Sequence, residues 1–441
     1  MKPNKNITTF RTLNYLGSKL RLLDFIENHI QRITPIGSGV CDLFAGSGCV
    51  SYRLSSQYKV TACDIQNYSA IICEALLRRH SISEDTIFSF KEDVLNSKNA
   101  ILKNIFAPLI QLELNAIQGK DLETLTDIVE HGSLEVFRID APESPLSPLQ
   151  QQVADALVKS QLMGCESLIS RYYGGVYFSY TQAVQIDIIL SAIRKVENRV
   201  NKKVFLAALL STVSDVVGTV GKHFAQPIKA RDSKGNIKPL VYNKAVKDKT
   251  IDIEQLFYEW LDKYISLSKS EYQHSIYQGD YMSCIETLSE EVRTIYADPP
   301  YTRDHYSRFY HVLETIALDD SPEISTVTIK GKTRVSNGIY RKDRHQSPFC
   351  VRSKAPNAFD DMFRAIAKAR KNLLLSYSPY DESKASHPRV VTMEQLIALA
   401  KKHFLEVDVV SAGHFTHSKL NSSEHFLVSS DEAEVLIICR N

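Results

Sequence analysis

The sequence predicts an α/β fold in which a doubly wound, parallel sheet is discontinuous along the chain and is interrupted by a mainly helical insertion. Strand-like apolar segments alternate with helical patterns over residues 1–95, and strand signals resume over residues 275–441. Residues 96–274 have mainly helical periodicity and are too numerous for a plain loop. A chain of 441 residues is long enough for two such domains.

The N-terminal segment alternates helix and strand. Leu23, Ile26 and Ile30 lie at helical spacing, and the run "GVCDLFAGSG" is an apolar stretch that breaks into glycines. The predicted elements, in chain order, are a helix over 19–33, a strand within 39–48, a helix over 49–55, a strand over 58–65 and a helix over 69–80.

The rest of the chain divides into helical and strand-like parts. Apolar residues at helical spacing predict insertion helices in "TQAVQIDIILSAIRKV", "VFLAALLSTVSDVVGTVG" and "IEQLFYEWLDKYISL". The predicted later strands lie in "SIYQGDYMSCI", "TIYADPPY", "NLLLSYSPY" (372–380), "FLEVDVVSAG" (404–413) and "AEVLIICR" (433–440).

Composition narrows the class of protein. The formal net charge is only +2, so any surface for nucleic acid must be local. The N-terminal "MKPNKNITTF" lacks the apolar core of a signal peptide, and no apolar run approaches the length that crosses a bilayer, so no membrane partner is expected. Eight cysteines without a CxxC pair are expected to be buried thiols in a reduced cytoplasm, and no metal site is predicted.

A glycine loop follows the first predicted strand. In a doubly wound sheet, ligands bind outside the carboxyl ends of the strands, where Gly46 and Gly48 permit a tight turn and close approach of a ligand. Asp64 closes the next strand and is suited to bind ribose hydroxyls. Position 51 is Ser51 where a dinucleotide fingerprint has its third glycine, which favours a smaller nucleoside cofactor.

A stiff turn ends the strand in "TIYADPPY". Pro299 and Pro300 have no N–H groups and restrict their neighbours to extended geometry, so the turn presents the Asp298 carboxylate and backbone carbonyls as acceptors, with Tyr301 at its exit. By itself this pattern fits either a strand-ending turn with a solvated acid or a pocket that binds an amine on a flat ring.

Three motifs in order carry a family resemblance. "LNYLGSK", "DLFAGSG" and the distant "DPPY" resemble the alpha-group (D12 class) adenine-specific DNA methyltransferases, and "DPPYTRDHYSRFYHVLET" is similar to FokI-type modification methyltransferases. The resemblance implies a Rossmann-like methyltransferase domain that uses S-adenosyl-L-methionine. It also implies that the target-recognition region lies in the long gap before "DPPY".

The same resemblance implies roles for individual residues. Asp298 and the Pro299 carbonyl would accept hydrogen bonds from the amine of a flipped-out adenine, Tyr301 would stack on the base, and Pro300 completes the catalytic turn. Lys19 would bind the cofactor carboxylate with Tyr15 nearby. The implied cofactor-binding residues are Tyr15, Lys19, Asp42, Phe44, Gly46, Gly48, Asp64, Asp280 and Tyr281, although Asp280 and Tyr281 fit a plain strand-end turn equally well.

Two segments are locally basic. Residues 222–249 contain eight Lys/Arg against two acids, net +6, and residues 330–354 contain eight against one, net +7. Such runs are often solvated faces, but two of them in a nearly neutral chain favour contacts with DNA phosphates. The predicted DNA-binding residues are Lys222, His223, Lys229, Arg231, Arg334, Arg341, Lys342 and Arg344.

The residues directly after "DPPY" have two interpretations. His305, Tyr306, Arg308 and Tyr310 would either line the base pocket or open a helix. The segment "DVVGTVGKHF" similarly fits a helix that ends at glycine better than a DNA-facing loop.

The sequence therefore predicts a site-specific DNA methyltransferase that modifies the N6 amine of adenine in double-stranded DNA after flipping the base, in a restriction-modification or related defence or epigenetic role. Cytosine-N4 methylation and RNA adenine methylation remain alternatives, because a ring-conjugated amine needs the same acceptors. A catalytically dead DNA-binding relative is the alternative from another functional class. A cognate restriction endonuclease, encoded separately, is a possible partner that the sequence does not decide.

Overall fold

The computed structural model describes residues 9–78, 80–329, 331–378, 389–412 and 434–441. The strands are β1 (Gly39–Asp42), β2 (Lys59–Asp64), β3 (Ser275–Gln278), β4 (Val292–Ala297), β5 (Thr326–Ile329), β6 (Lys332–Val335), β7 (Asn372–Tyr377), β8 (Glu406–Ser411) and β9 (Val435–Arg440). The first eight residues of the N-terminal segment, "MKPNKNIT", lie outside the described residues. The same holds for the ends of three predicted strands, at 379–380, 413 and 433.

The helices up to the end of the helix-rich region are α1 (Leu23–Ile33), α2 (Cys49–Leu54), α3 (Asn67–Leu77), α4 (Glu84–Val94), α5 (Ser97–Gly119), α6 (Leu122–His131), α7 (Leu134–Asp140), α8 (Ser147–Lys159), α9 (Leu168–Tyr173), α10 (Tyr180–Arg194), α11 (Arg199–Val216), α12 (Leu240–Asp248) and α13 (Ile253–Ile265). The later helices are α14 (Tyr281–Thr287), α15 (Tyr306–Phe309), α16 (His311–Leu318), α17 (Ala355–Lys368) and α18 (Met393–Ala400).

The α/β class is confirmed, and the main sheet is mixed. Its seven strands run in the order β3-β2-β1-β4-β7-β9-β8. Pairing is parallel from β3 to β7, whereas β9 pairs antiparallel with both β7 and β8. The expectation of a parallel sheet is wrong at β9, because an apolar run such as "VLIICR" buries equally well in either direction and does not encode strand polarity.

The chain forms two compact units. We call Met1–Arg79, Ser268–Ser307 and His345–Asn441 the sheet unit. We call His80–Leu267 and Arg308–Arg344 the helical unit. These bounds differ from the predicted domains, since residues 80–95 and 308–344 pack with the helices. Polar contacts hold the segment 308–344, which we call the returning segment, in the helical unit.

Polar contacts tie the returning segment into the helical unit. Arg194 donates to Asp319 at 2.6 Å with two nitrogens, and Arg171 donates to the Ser321 hydroxyl at 3.1 Å. Within the segment, Arg341 donates to Asp320 at 2.5 and 2.7 Å. Tyr173 adds a hydrogen bond with Thr315 at 3.2 Å. Polar pairing of this kind between residues far apart in sequence leaves no local pattern, so the predicted boundary missed it.

The strand order creates a switch point between β1 and β4. From β1 the chain moves outward to β2 and later β3, and then returns to the other side of β1 as β4. Asp42 is paired in register with Tyr296, and the Leu43 amide donates to the Tyr296 carbonyl at 2.9 Å. The loops after β1 and β4 therefore leave the sheet side by side, which is where doubly wound sheets bind ligands.

One helix departs from the expectation about apolar length. The part of α5 from Asn99 to Gly119 is long and apolar enough, by length and composition, to cross a membrane. Core helices pass the same test, and Phe106 and Leu109 are fully buried in the helical unit. Glu113 on this helix also accepts from the Lys249 ammonium at 2.9 Å. These contacts show that part of α5 packs within the helical unit, whereas Ile101 and Leu114 on the same helix are exposed.

Candidate active site

An open cleft lies in the sheet unit at the carboxyl ends of β1, β2 and β4. Its free volume, including the part that opens to solvent, is about 1020 Å³. The predicted cofactor and catalytic residues that line it are Tyr15, Lys19, Asp42, Phe44, Gly46, Asp64, Asp280, Tyr281, Asp298 and Pro300. The others, Gly48, Pro299 and Tyr301, do not line it.

The loop after β1 requires its glycines. Gly46 has φ +53° and Gly48 has φ +72°, which is the left-handed region that other residues rarely adopt. A Cβ atom on Gly46 would lie 2.7 Å from the Tyr15 hydroxyl oxygen. Gly48 is the N-cap of α2, so the loop feeds directly into a helix N-terminus. The loop is thus shaped both by backbone geometry and by the ring of Tyr15.

Asp64 fixes the same loop from the neighbouring strand. Its two carboxylate oxygens accept from the Gly46 and Gln66 amides, each at 2.8 Å. Burial raises the pKa of Asp64, and these backbone hydrogen bonds oppose that rise. Each oxygen retains a second lone pair, so Asp64 can hold the loop and still accept a hydrogen bond from a ligand.

Asp42 ends β1 as a buried carboxylate. The Ser51 hydroxyl donates to its Oδ2 at 2.6 Å, whereas its Oδ1 has no hydrogen-bond partner within the described part of the chain. Burial raises the pKa of Asp42 to about 7. Ser51 entered the sequence analysis only as a missing glycine, and its role as the partner of Asp42 was not predicted.

The Lys19 ammonium is buried between two carboxylates. Its Nζ lies 2.8 Å from Asp298 Oδ2 and 3.4 Å from Glu434 Oε1, and it donates to the Gly17 carbonyl at 3.2 Å. Burial alone would lower the pKa of Lys19, but the two carboxylates raise it well above its ordinary value. Because three acceptors engage the three N–H donors, this arrangement differs from the expected contact with a cofactor carboxylate.

Asp298 follows β4 with its side chain 20% exposed toward the cleft. Burial raises its pKa to about 6, against the lowering effect of Lys19, and the charge of Glu434 adds to the rise. The alternative of a solvated acid does not hold, because only a fifth of the Asp298 side chain is exposed and Lys19 pairs with it. What remains is an acceptor held in a fixed position at the switch point.

Glu434 is a site residue that the sequence analysis missed. It directly precedes β9, is buried, and accepts from the Ser376 hydroxyl at 2.7 Å on β7. The sequence feature that could have indicated Glu434 is its position as the acidic residue directly before the apolar run "VLIICR". Only the pairing of β9 with β7 brings this acid beside Lys19.

The Tyr301 ring packs beside Asp298 but outside the cleft lining. Its centroid lies 5.1 Å from that of Tyr377 and 4.8 Å from the Arg389 guanidinium. Its backbone carbonyl accepts from the Val390 amide at 3.1 Å. The "DPPY" turn is therefore supported from the residues after β7, which no local pattern predicted.

Three aromatic rings form one wall of the cleft. Phe44 lies 5.6 Å from Tyr281 and 5.5 Å from Phe349, and Tyr281 lies 5.2 Å from Phe349, measured between ring centroids. Asp280 caps α14 by accepting from the Met282 amide at 2.9 Å. Asp280 thus ends its strand as a helix cap, and Phe349 is a further aromatic that the sequence analysis did not single out.

The residues after "DPPY" line the cleft and also open a helix. His305 and Tyr306 line the cleft, while Tyr306–Phe309 forms the short helix α15. The Tyr306 hydroxyl donates to the Leu16 carbonyl at 3.1 Å, and its ring lies 5.6 Å from that of Tyr15. Arg308 and Tyr310 belong to the helical unit.

The predicted DNA-binding residues all lie in the helical unit and fall into two groups. Those in ion pairs are Lys222 with Asp248, Arg231 with Glu123 and Glu130, Arg341 with Asp320, and Lys342 with Glu323. Of these, Arg341 is only 3% exposed, so its guanidinium is structural and not available to a phosphate. Lys229 and Arg334 are exposed, and His223 packs against Phe309 at 4.7 Å.

Two arginines stand against one aromatic ring. The Arg344 and Arg308 guanidinium carbons lie 5.4 and 5.8 Å from the centroid of Tyr340. Burial lowers the pKa of Arg344, and the like charge of Arg308 lowers it further. No salt bridge to either arginine occurs among the residues that the structure describes. Of the two, only Arg344 was in the predicted DNA-binding set.

The sequence matches known proteins over most of its length. It is 27% identical over 376 residues to the type II methyltransferase M.FokI of Planomicrobium okeanokoites, covering 83% of this chain and 44% of that protein. It is 24% identical over 413 residues to the modification methylase LlaI of Lactococcus lactis subsp. lactis, covering 93% and 52%. The chain thus spans about half the length of these two relatives.

A third relative is matched over most of both chains. The type II methyltransferase M.NlaIII of Neisseria lactamica is 23% identical over 369 residues, covering 80% of each protein. The family model for the D12 class N6 adenine-specific DNA methyltransferases matches residues 15–112 and 224–373, more than half of the chain. These segments contain Lys19, the glycine loop and the "DPPY" turn. The chain therefore belongs to the D12 class of N6 adenine-specific DNA methyltransferases.

Proposed function

We propose that this protein is an S-adenosylmethionine-dependent methyltransferase that acts on the N6 amine of adenine in double-stranded DNA. The observation that carries the proposal is the meeting of the glycine loop and the "DPPY" turn in one cleft, with the partly exposed Asp298 carboxylate in its lining. Family membership supports the same activity. The named relatives are a modification methylase and type II methyltransferases, which supports a role in restriction-modification.

Several groups in the cleft support the binding of S-adenosylmethionine. The buried Asp42 Oδ1, which has no hydrogen-bond partner among the residues that the structure describes, suits an ammonium group, because an unpaired buried carboxylate oxygen is costly unless a ligand binds it. Asp64 can accept from ribose hydroxyls, and the wall of Phe44, Tyr281 and Phe349 suits a flat adenine ring. When bound, this cofactor supplies a methyl group made electrophilic by the adjoining sulfonium.

Asp298 and the Pro299 carbonyl provide the acceptors for the target amine. The amine lone pair is delocalised into the purine ring, and two acceptors on its hydrogens favour the geometry in which that pair points at the methyl carbon. The nitrogen gains a carbon and must lose a proton. With a pKa of about 6, Asp298 can take up that proton and release it to solvent at neutral pH.

An adenine inside a duplex must be extruded to reach this turn. Tyr301 ends the "DPPY" turn three residues after Asp298, and its ring packs against Tyr377 and Arg389. Because it does not line the cleft as such, we infer that it contacts the face of the extruded base beside the cleft.

We further propose that the helical unit is the target-recognition domain. The phosphate contacts that its structure supports best are the exposed Lys229 and Arg334, together with Arg308 and Arg344, which lie against the Tyr340 ring and form no salt bridge within the described part of the chain. Arg231 and Lys342 are in exposed ion pairs that exchange easily for phosphates. Lys222 is omitted because it pairs with the buried Asp248 carboxylate. Arg341 is omitted because its own side chain is buried.

The product of the reaction tests this proposal. Purified protein, unmethylated DNA and cofactor labelled in its methyl group should yield label in N6-methyldeoxyadenosine after digestion to nucleosides. Label in N4-methyldeoxycytidine, or transfer to RNA in place of DNA, would identify the alternative substrates. Absence of transfer by folded protein that binds the cofactor would contradict the proposed activity.

A further inference from the structure

The environment of Asp298 includes a second carboxylate with no role in the mechanism so far. Glu434 and Asp298 lie on opposite sides of the same ammonium, 3.4 and 2.8 Å from Lys19 Nζ. All three side chains are 20% exposed or less, so their charges are weakly screened. Ser376 holds Glu434 in place by donating to its Oε1, the same oxygen that faces Lys19.

One ammonium is shared between these two carboxylates. If both are ionised, the cluster has a net charge of −1, and Lys19 neutralises neither acid fully. Without Glu434, the ammonium would belong to Asp298 alone, and a fully paired carboxylate is a weaker acceptor for another donor. The groups that face Asp298 are Lys19 and Glu434, with Asp42 and the phenols of Tyr296 and Tyr301 around them.

We propose that Glu434 is a positioning residue for methyl transfer: it holds the Lys19 ammonium between two acids and thereby keeps Asp298 a strong acceptor for the hydrogens of the target amine. This proposal rests on the proposed function. It gives a role to a buried glutamate that lies beside Lys19 and is not part of the cleft lining. Burial is the main cause of the raised pKa of Asp298, and the like charge that adds to it comes from the residue before β9, outside the sequence motifs.

The test is a direct titration of Asp298. Protein labelled with carbon-13 at the side-chain carboxyl of aspartate gives a signal for Asp298, assigned by its loss in Asp298→Asn. In Glu434→Gln we expect the midpoint of this signal to fall by about one pH unit, because a like charge against the same cation is lost. An unchanged or raised midpoint would overturn the proposal.

Single-turnover methyl transfer gives a second readout. The rate of Glu434→Gln near neutral pH should fall by up to about tenfold, the factor that one pKa unit represents. The acidic limb of its pH–rate profile should move to lower pH, because the Asp298 carboxylate then stays ionised at lower pH values. A purely structural role for Glu434 would lower the rate without moving the limb, and that result would also overturn the proposal.

Two further variants complete the test. Glu27→Gln is a matched control, because Glu27 is another buried glutamate of the sheet unit, paired with Arg53 at 2.7 Å and outside the cleft lining. It should leave the Asp298 midpoint and the acidic limb unchanged. Glu434→Asp retains the negative charge but holds it further from Lys19, so it should give an intermediate Asp298 midpoint. This variant tests the proposal even if Glu434→Gln fails to fold. A wild-type midpoint in Glu434→Asp would count against the proposal.

The titration needs neither cofactor nor DNA. If the wild-type protein transferred no methyl group, the proposed function would fail while the midpoint shift still judged the role of Glu434. If the wild-type enzyme is active and the midpoint does not move, only the role of Glu434 fails.

Discussion

Replacing Lys19 by methionine is expected to destabilise the sheet unit in a pH-dependent way. The side chain is 5% exposed, and its Nζ bridges Asp298 and Glu434. Removing one partner of a buried ion pair costs about 3–5 kcal/mol, mostly because the remaining charge is left uncompensated. Here two carboxylates would be left facing each other, so we expect a loss in that range at about pH 8.

The sign of the pH dependence follows from the pKa of Asp298. That pKa is about 6 in the folded protein, above its ordinary value, although Lys19 lowers it. Without Lys19 the pKa rises further, so the folded variant binds a proton that the unfolded chain has released. Its stability therefore increases as the pH falls through the folded pKa. The difference from wild type should be largest at about pH 8 and smaller at about pH 5.5.

Urea unfolding at these two pH values measures the effect, with Lys59→Met as the matched control. Lys59 pairs with Glu291 at 2.9 Å in the same unit, but the two side chains are 44% and 66% exposed. A surface pair of this kind contributes about 0–1 kcal/mol. A loss below about 1 kcal/mol in Lys19→Met at the higher pH, or an equal loss at both pH values, would refute the buried-cluster reasoning.

Three further predictions concern ligands. Gly46→Val should abolish S-adenosylmethionine binding in calorimetric titration while the fold persists, because its side chain would meet Tyr15 and its φ is positive; wild-type affinity would remove the loop from the cofactor site. Tyr301→Ala should lose about 1–3 kcal/mol of stacking on the extruded base, with partial rescue by a mismatch opposite the target, whereas Tyr301→Phe should be mild; normal turnover of the alanine variant on matched duplex would contradict this role. Lys229→Ala and Arg344→Ala should each reduce the slope of log affinity against log salt by about one unit for every DNA sequence, and an unchanged slope would mean that these residues face solvent only.

Local sequence patterns predicted the parts of the site that belong to single elements. The glycine loop needs positive φ at Gly46 and Gly48, and the two prolines stiffen the turn after β4, so both motifs are visible in the chain itself. The alternation of strand and helix likewise gave the α/β class. These features depend on residues close in sequence, where backbone geometry limits the choices.

Features that depend on long-range pairing were missed. Glu434 reaches Lys19 only because β9 pairs with β7, and the antiparallel direction of β9 has no signature in its apolar residues. Arg341 was predicted to contact DNA phosphates because it lies in a basic run, yet Asp320 pairs with it in the folded protein. Charge counts along a chain cannot separate a structural ion pair from a phosphate contact.

The most direct test of the central claim compares methyl transfer and DNA binding in Asp298→Ala. The structure puts this carboxylate at the cleft of the sheet unit, while the proposed phosphate contacts lie in the helical unit. A single-turnover assay on duplex DNA should therefore show loss of nearly all transfer to adenine N6, with DNA affinity close to that of wild type. Retention of most of the wild-type rate by Asp298→Ala would contradict the account.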